Sequence, residues 1–323
     1  MHIPQYATVL PDPSHQVAHI LRLLAQDMLL NPQGGKAIIF LPTTKSTELF
    51  SLIVDSMTKH LPWGARKTNV FEISSRKTQS QRERAADRFR RAKGGYQILV
   101  SSDVSARGVD YPGVTRVIQV GIPGSRDLYI HRVGRTGRAG KQGRGDIVLL
   151  PWEVGYMTWQ LQDLPLMPLT VVELADQVKA LAQTQDELPT ETEPDDARRP
   201  RGRGFTRDDS VTITGPMAPQ VEKRLADLDQ AIDQDLFPSL DRFAIKEAFA
   251  SLLGYYVTKA SDIRTTKTVV VQGLKDWAKS GVGLGEEPYV SQQFLDKLGM
   301  RDNRTKGRGR DRVSVFYQHI DQS

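Results

Sequence analysis

The chain has 323 residues, 39% of them hydrophobic and 25% charged, a composition that excludes a wholly disordered or fibrous protein and, at this length, predicts about two domains. Forty-four Lys and Arg against 38 Asp and Glu give a net charge of +6, and the lack of cysteine excludes disulfides and thiolate metal sites. No apolar run approaches the roughly 20 residues of a bilayer crossing, so no membrane partner is expected. The opening MHIPQYATV has neither a secretory core nor an Arg-rich transit pattern.

The first 150 residues alternate helical and strand patterns, the signature of parallel-sheet units with right-handed crossovers. Val17, Ile20, Leu21, Leu24 and Met28 form one helical stripe, stopped by Asn31-Pro32 and Gly34-Gly35. Residues 37–41 (AIIFL) are continuously apolar, as a parallel strand buried on both faces requires. A helix is predicted over 44–60, strands over 70–74, 97–101, 116–120 and 146–150, and a helix over 79–92. Five strands with interposed helices predict an α/β fold, an open doubly wound parallel sheet. After Pro151 the strand signal fades. Helices are predicted over 154–161, 170–183, 219–233, 240–256, 267–279 and 291–298.

Charge is unevenly placed. Residues 66–93 hold ten basic residues against three acids, 186–196 hold six acids and no base, 198–207 hold five arginines, and 301–312 hold six bases. Clustered arginine points to a polyanion partner. The stretch 188–219, rich in Pro, Gly, Thr and both charges, is expected to be a mobile loop. The organisation expected is a sheet domain over 1–152, a helical extension over 153–300 interrupted at 188–219, and a basic tail over 301–323.

Two turns carry chemistry. The strand ILVS is followed by SDVSARGVD (102–110), and the strand RVIQV by YIHRVGRTGRAG (129–140). Arg132, Arg135 and Arg138 recur every three residues, which on a helix puts them on one face. Three converging guanidinium groups repel each other unless an anion sits between them.

These two strings resemble motifs V and VI of the DEAD-box RNA helicases, in the second of their two RecA-like domains. Ile39-Phe40-Leu41-Pro42-Thr43 resembles motif IV, and Gln79-Ser80-Gln81-Arg82 resembles the family's Q-x-x-R element. The order and spacing agree over 36–150. The resemblance implies a RecA-like sheet of the P-loop NTPase helicase type, with ATP as cofactor and RNA, duplex and single-stranded, as partner. It implies Arg135 and Arg138 as arginine fingers on the transferring phosphate, with Gly108 and Asp110 also at the nucleotide. His131 and Arg132 would couple the site to the other domain. Thr43, Gln79, Arg82, Ser102 and Arg107 match positions near the RNA strand, where phosphate contacts ignore base sequence. The Thr43 and Ser102 hydroxyls fit ordinary strand-end caps equally well. Where the family commonly has His-Gly before the Q-x-x-R element, this chain has Ser74-Ser75.

No G-x-x-x-x-G-K-[ST], D-E-A-D or S-A-T string occurs in the chain. The family's first domain, which supplies the phosphate loop and the acid that holds Mg2+, is therefore expected from elsewhere, and this polypeptide alone is expected neither to hydrolyse ATP nor to unwind RNA. A non-enzymatic, truncated RNA-binding protein is the alternative. The segments FASLLGYY (249–256) and SQQFLDKLG (291–299) resemble the extension of the fungal mitochondrial RNA chaperones that assist group I and group II intron splicing, which implies a mitochondrial matrix location. The aromatic stripe Phe243, Phe249, Tyr255, Tyr256 reads as core in preference to a base-stacking platform.

Overall fold

The computed structural model describes residues 3–102, 110–138, 142–187, 217, 220–297 and 299–300. Of the residues singled out above, Arg107 and Gly108 lie outside the described residues, as do the arginine-rich stretch 198–207, nearly all of 188–219 and the tail 301–323. In chain order the elements begin β1 (Gln5–Val9), α1 (His15–Leu30), β2 (Gly35–Phe40), α2 (Thr44–Met57), α3 (Gly64–Lys67), β3 (Thr68–Ile73) and α4 (Gln79–Arg91). They continue with β4 (Tyr96–Ser101), β5 (Val114–Val120), α5 (Arg126–Val133), β6 (Arg144–Leu149), α6 (Val154–Gln160), β7 (Leu166–Pro168) and α7 (Val171–Asp186). The remainder is helical: α8 (Val221–Ala226), α9 (Leu228–Ala231), α10 (Phe237–Ser239), α11 (Arg242–Thr258), α12 (Lys267–Asp276) and α13 (Gln292–Lys297).

The sheet has seven strands in the order β3-β4-β2-β5-β6-β1-β7, and all its pairings are parallel. This corrects the expectation of five. The five expected strands are present; β1 and β7 are additional. QYATV buries only Ala7 and Thr8, and LMP is three residues long and buries none, so neither produces an apolar run. The expectation of one helix over 219–233 is also corrected. The chain breaks there into α8, α9 and a π-helical turn over Ile232–Leu236, entered from Gln220 at φ 59°.

Helices cover both faces. On one, Phe89 and Ala86 of α4 and Leu128 of α5 pack on Ile38, Phe40, Ile73, Leu99 and Val117, with the Phe89 ring edge-on to Phe71 and Tyr111. On the other lies α1, which is buried nearly all round. A helix packed in that way is enclosed by protein on both sides, and here α7 supplies the outer cover through Leu174, Val178 and Ala182.

Beneath α1 is a buried polar network. Arg116, fully buried, donates to the Leu23 carbonyl and to Gln26 Oε1 and lies 3.6 Å from both Asp27 and Asp146. Asp27 also accepts from the Tyr96 and Thr115 hydroxyls. Charges in a low-dielectric interior persist only when paired and hydrogen-bonded in this way. The expected aromatic stripe divides: Phe249 and Tyr256 are core, whereas Phe243 is 59% exposed. Among the described residues, those up to Pro288 form one compact unit and those from Tyr289 a second.

Candidate functional site

The parallel register lines up the carboxyl ends of three adjacent strands. Phe40 of β2 and Ile73 of β3 both pair with Ser101 of β4, so the residues just beyond them share one edge. After β2, Thr43 caps α2: its hydroxyl accepts from the Ser46 amide at 3.2 Å and its own amide donates to Ser46 Oγ at 3.2 Å. This is a capping box that satisfies two otherwise orphaned donors. Thr43 therefore holds the cap its position allowed for. Its neighbour Thr44 hydrogen-bonds Ser75 at 2.6 Å, bridging the turns after β2 and β3.

On the same edge Thr78 caps α4 through a second box with Gln81. Gln79 is exposed in the first turn and donates to Glu83 Oε1 at 2.7 Å. One turn on, Arg82 has a buried Nε with no hydrogen-bond partner among the described residues. Ser102, just past β4, donates its amide to the Ile73 carbonyl at 3.3 Å, and its hydroxyl is buried and unpaired among the described residues. The edge thus presents Thr43, Ser75, Arg76, Gln79, Arg82 and Ser102 together.

The arginine motif is elsewhere. Helix α5 runs back from the carboxyl end of β5, and the chain beyond it returns to the opposite end of the sheet, where Thr136 donates to the carbonyl of Val114, the first residue of β5. There Arg138 Nη1 lies 2.6 Å from Asp110 Oδ1 and its Nε donates to the Gly134 carbonyl. Arg135 Nε donates to the His131 carbonyl at 3.1 Å. Burial, and then the nearby charge of Arg138, holds the Arg135 guanidinium below the usual arginine range.

The expectation that three arginines share one helical face fails. The helix stops at Val133, and Arg132 turns inward. It is fully buried, 5.1 Å from the Phe40 ring, and donates to Gln119 Oε1. A buried guanidinium needs such partners, and both come from strands distant in sequence. His131 is exposed beside it.

Two members of this second cluster were not apparent from the sequence. Arg90, at the end of α4, donates Nε to the Asp110 carbonyl at 3.2 Å while pairing with Asp87. The Tyr111 hydroxyl is buried without a partner among the described residues; burial pushes it up to about 12, against the pull of Arg90 and Arg135. Arg90 stands in the basic run of α4, which was the available signal. Among the described residues no cluster of acidic or histidine side chains could hold a metal ion.

Similarity to known proteins bears on the fold and the family. Residues 16–140 match the helicase conserved C-terminal domain. Among curated proteins, the chain is 48% identical over 83% of its length to DEAD-box ATP-dependent RNA helicase 25 of Arabidopsis thaliana, and 31% identical over 88% of its length to DEAD-box ATP-dependent RNA helicase 26 of the same plant. It is 32% identical over 83% of its length to the mitochondrial ATP-dependent RNA helicase cyt-19 of Neurospora crassa. It spans 36%, 26% and 35% of those three proteins. Among solved structures, Mss116p DEAD-box helicase domain 2 bound to an RNA duplex matches with a TM-score of 0.61 at 20% identity, covering 92% of this chain and 94% of that one. The fold is therefore RecA-like, and the chain carries a helicase C-terminal domain. That domain is of the DEAD-box RNA helicase kind.

Proposed function

We propose that the chain is the RNA-docking and arginine-supplying half of an ATP-dependent RNA helicase, acting with a first RecA-like domain that carries the phosphate loop. The observation that carries this reading is the separation of two clusters on one sheet. Hydroxyl, amide and guanidinium groups line the carboxyl edge of β3, β4 and β2, and Arg135, Arg138 and Asp110 gather at the amino end of β5. The first set suits a phosphate backbone, because it is cationic and offers no base-reading element.

The second set fits a nucleoside triphosphate. Asp110 would accept from a ribose hydroxyl, and Arg135 and Arg138 would stabilise negative charge on the phosphates as a bond to one of them breaks. Asp110 and Arg138 pair in this structure and Arg135 and Arg138 repel, so an anion between the arginines would relieve that repulsion. Mg2+ would be held by the first domain. Buried Arg132 then acts on coupling through the shape of α5, and exposed His131 directly. Likeness to cyt-19 supports a mitochondrial location as part of the same reading.

Fluorescence anisotropy with a short RNA duplex, the matching single strand and the matching DNA duplex tests the docking edge. Salt-sensitive preference for RNA is expected; equal affinity for A-form RNA and B-form DNA would overturn it. Arg82→Ala should weaken RNA binding and lower the salt slope by about 1, whereas Arg135→Ala should leave RNA binding intact and abolish ATPase reconstituted with a first domain. Equal loss of RNA binding in both variants contradicts the division of labour. Tight RNA binding with no ATPase on adding a first domain would favour a non-enzymatic RNA-binding protein.

A further inference from the structure

The loop between β5 and α5 is held from outside its own domain motif. Gly121 follows β5 at φ +74°, and a Cβ there would stand 2.2 Å from the Tyr256 hydroxyl, so the approach of α11 to this loop is as close as glycine permits. The Ile122 amide donates to the Tyr256 hydroxyl at 3.3 Å, and the Tyr255 hydroxyl donates to the Ile122 carbonyl at 3.0 Å. Lys259, at the end of α11, donates to the Gly124 carbonyl at 2.8 Å and is itself steadied by Asp262 at 3.0 Å. Tyr256 in turn donates to the buried Glu153 carboxylate. Ser125 follows at once and caps α5, its hydroxyl accepting from the Leu128 amide at 3.2 Å.

The far end of α5 holds the arginines by its last carbonyls. Arg135 Nε is bound to the His131 carbonyl and Arg138 Nε to the Gly134 carbonyl at 2.8 Å. Their guanidinium groups therefore follow α5, and α5 follows the loop gripped by α11. We propose that α11 is a positioning element for the arginine motif, with Tyr255, Tyr256 and Lys259 as positioning residues that set the placement of Arg135 and Arg138. That those arginines serve a nucleotide rests on the reading above; that α11 sets their placement does not.

The test uses the full chain and two variants, Tyr256→Phe and Lys259→Met. Amide exchange over 128–135 should accelerate about tenfold in each, with amides of β2 and β4 unchanged. With a first RecA-like domain added, turnover of ATP should fall while KM for ATP holds, and Lys259→Arg should restore it. Arg135→Ala is the separate control: if it keeps full turnover, the nucleotide reading falls while the exchange result still decides the positioning role. Wild-type exchange over 128–135 in both variants overturns the proposal, as does uniform acceleration across the whole sheet, which would mark a merely structural contact. If the wild type shows no turnover, exchange alone decides.

Discussion

Glu153 sits in an environment far from what its type suggests. It is fully buried and accepts from the Leu150 amide at 2.6 Å and from Tyr256, yet no cation among the described residues pairs with it. Burial pushes its carboxyl up to about 7. The folded chain therefore binds the Glu153 proton more tightly than the unfolded chain, so the stabilisation is complete below 4.5 and is lost as pH climbs through about 7. At about 1.4 kcal/mol per pH unit the loss is on the order of 3 kcal/mol. Glu153→Gln should flatten that descent in urea unfolding curves measured at pH 5 and pH 8. An unchanged slope would show that Glu153 is ionised in the folded state. His19 works in the other sense: burial holds its ring down at about 3, so its contribution is present above 6.5 and lost as pH falls toward 3. At the same scale, the burial of Arg132 and the pairing of Asp110 with Arg138 were not legible in the sequence. Their partners, Gln119, Phe40 and Asp110 itself, come from other strands and loops, and spacing along one helix carries no information about them.

Among the elements, β2, β4 and the stripe of α1 were legible because burial on both faces leaves a continuous apolar record. Strand β1 was not, since its neighbours in the sheet, β6 and β7, lie more than a hundred residues away and only its middle is enclosed. The candidate RNA edge was read from the resemblance of its motifs, and the structure sets Thr43 and Gln79 at helix starts and Ser102 directly after a strand. Gly121 shows how an element boundary can depend on a distant helix. Gly121→Ala must adopt a positive φ and displace Tyr256, and a loss of about 2 kcal/mol or more is expected in denaturant unfolding. Paired with Tyr256→Ala, the cost of Gly121→Ala should shrink; additive losses would mean the backbone conformation alone is responsible.

For the whole molecule, the helices α7 to α9, α11 and α12 are part of the fold's interior. Helix α7 covers the outer side of α1, and Arg224 of α8 donates to the carbonyls of Leu61 and Pro62, so these helices close the core that the first 150 residues begin. Met1–Pro288 should accordingly unfold in a single cooperative transition by circular dichroism and intrinsic fluorescence alike. Two separated transitions, or a soluble and cooperatively folding fragment ending near residue 152, would show that the extension is an independent domain. Sequence reading separated the two at 152 because composition changes there, from alternating strands to helices. Packing does not follow composition.

The length of α4 has a consequence of its own. Its thirteen residues span roughly 20 Å and tie the two edges of the sheet together: just before it Lys77 donates its amide to the Ser74 carbonyl and its ammonium to the Glu72 carbonyl, and at the other end Lys36 caps the carbonyls of Phe89 and Arg90 while Arg90 holds Asp110. Inserting one residue would turn one end against the other by about 100°, so both fastenings could not be kept. In this chain α4 is a ruler, and an insertion or deletion within it should cost more than a substitution on its exposed face.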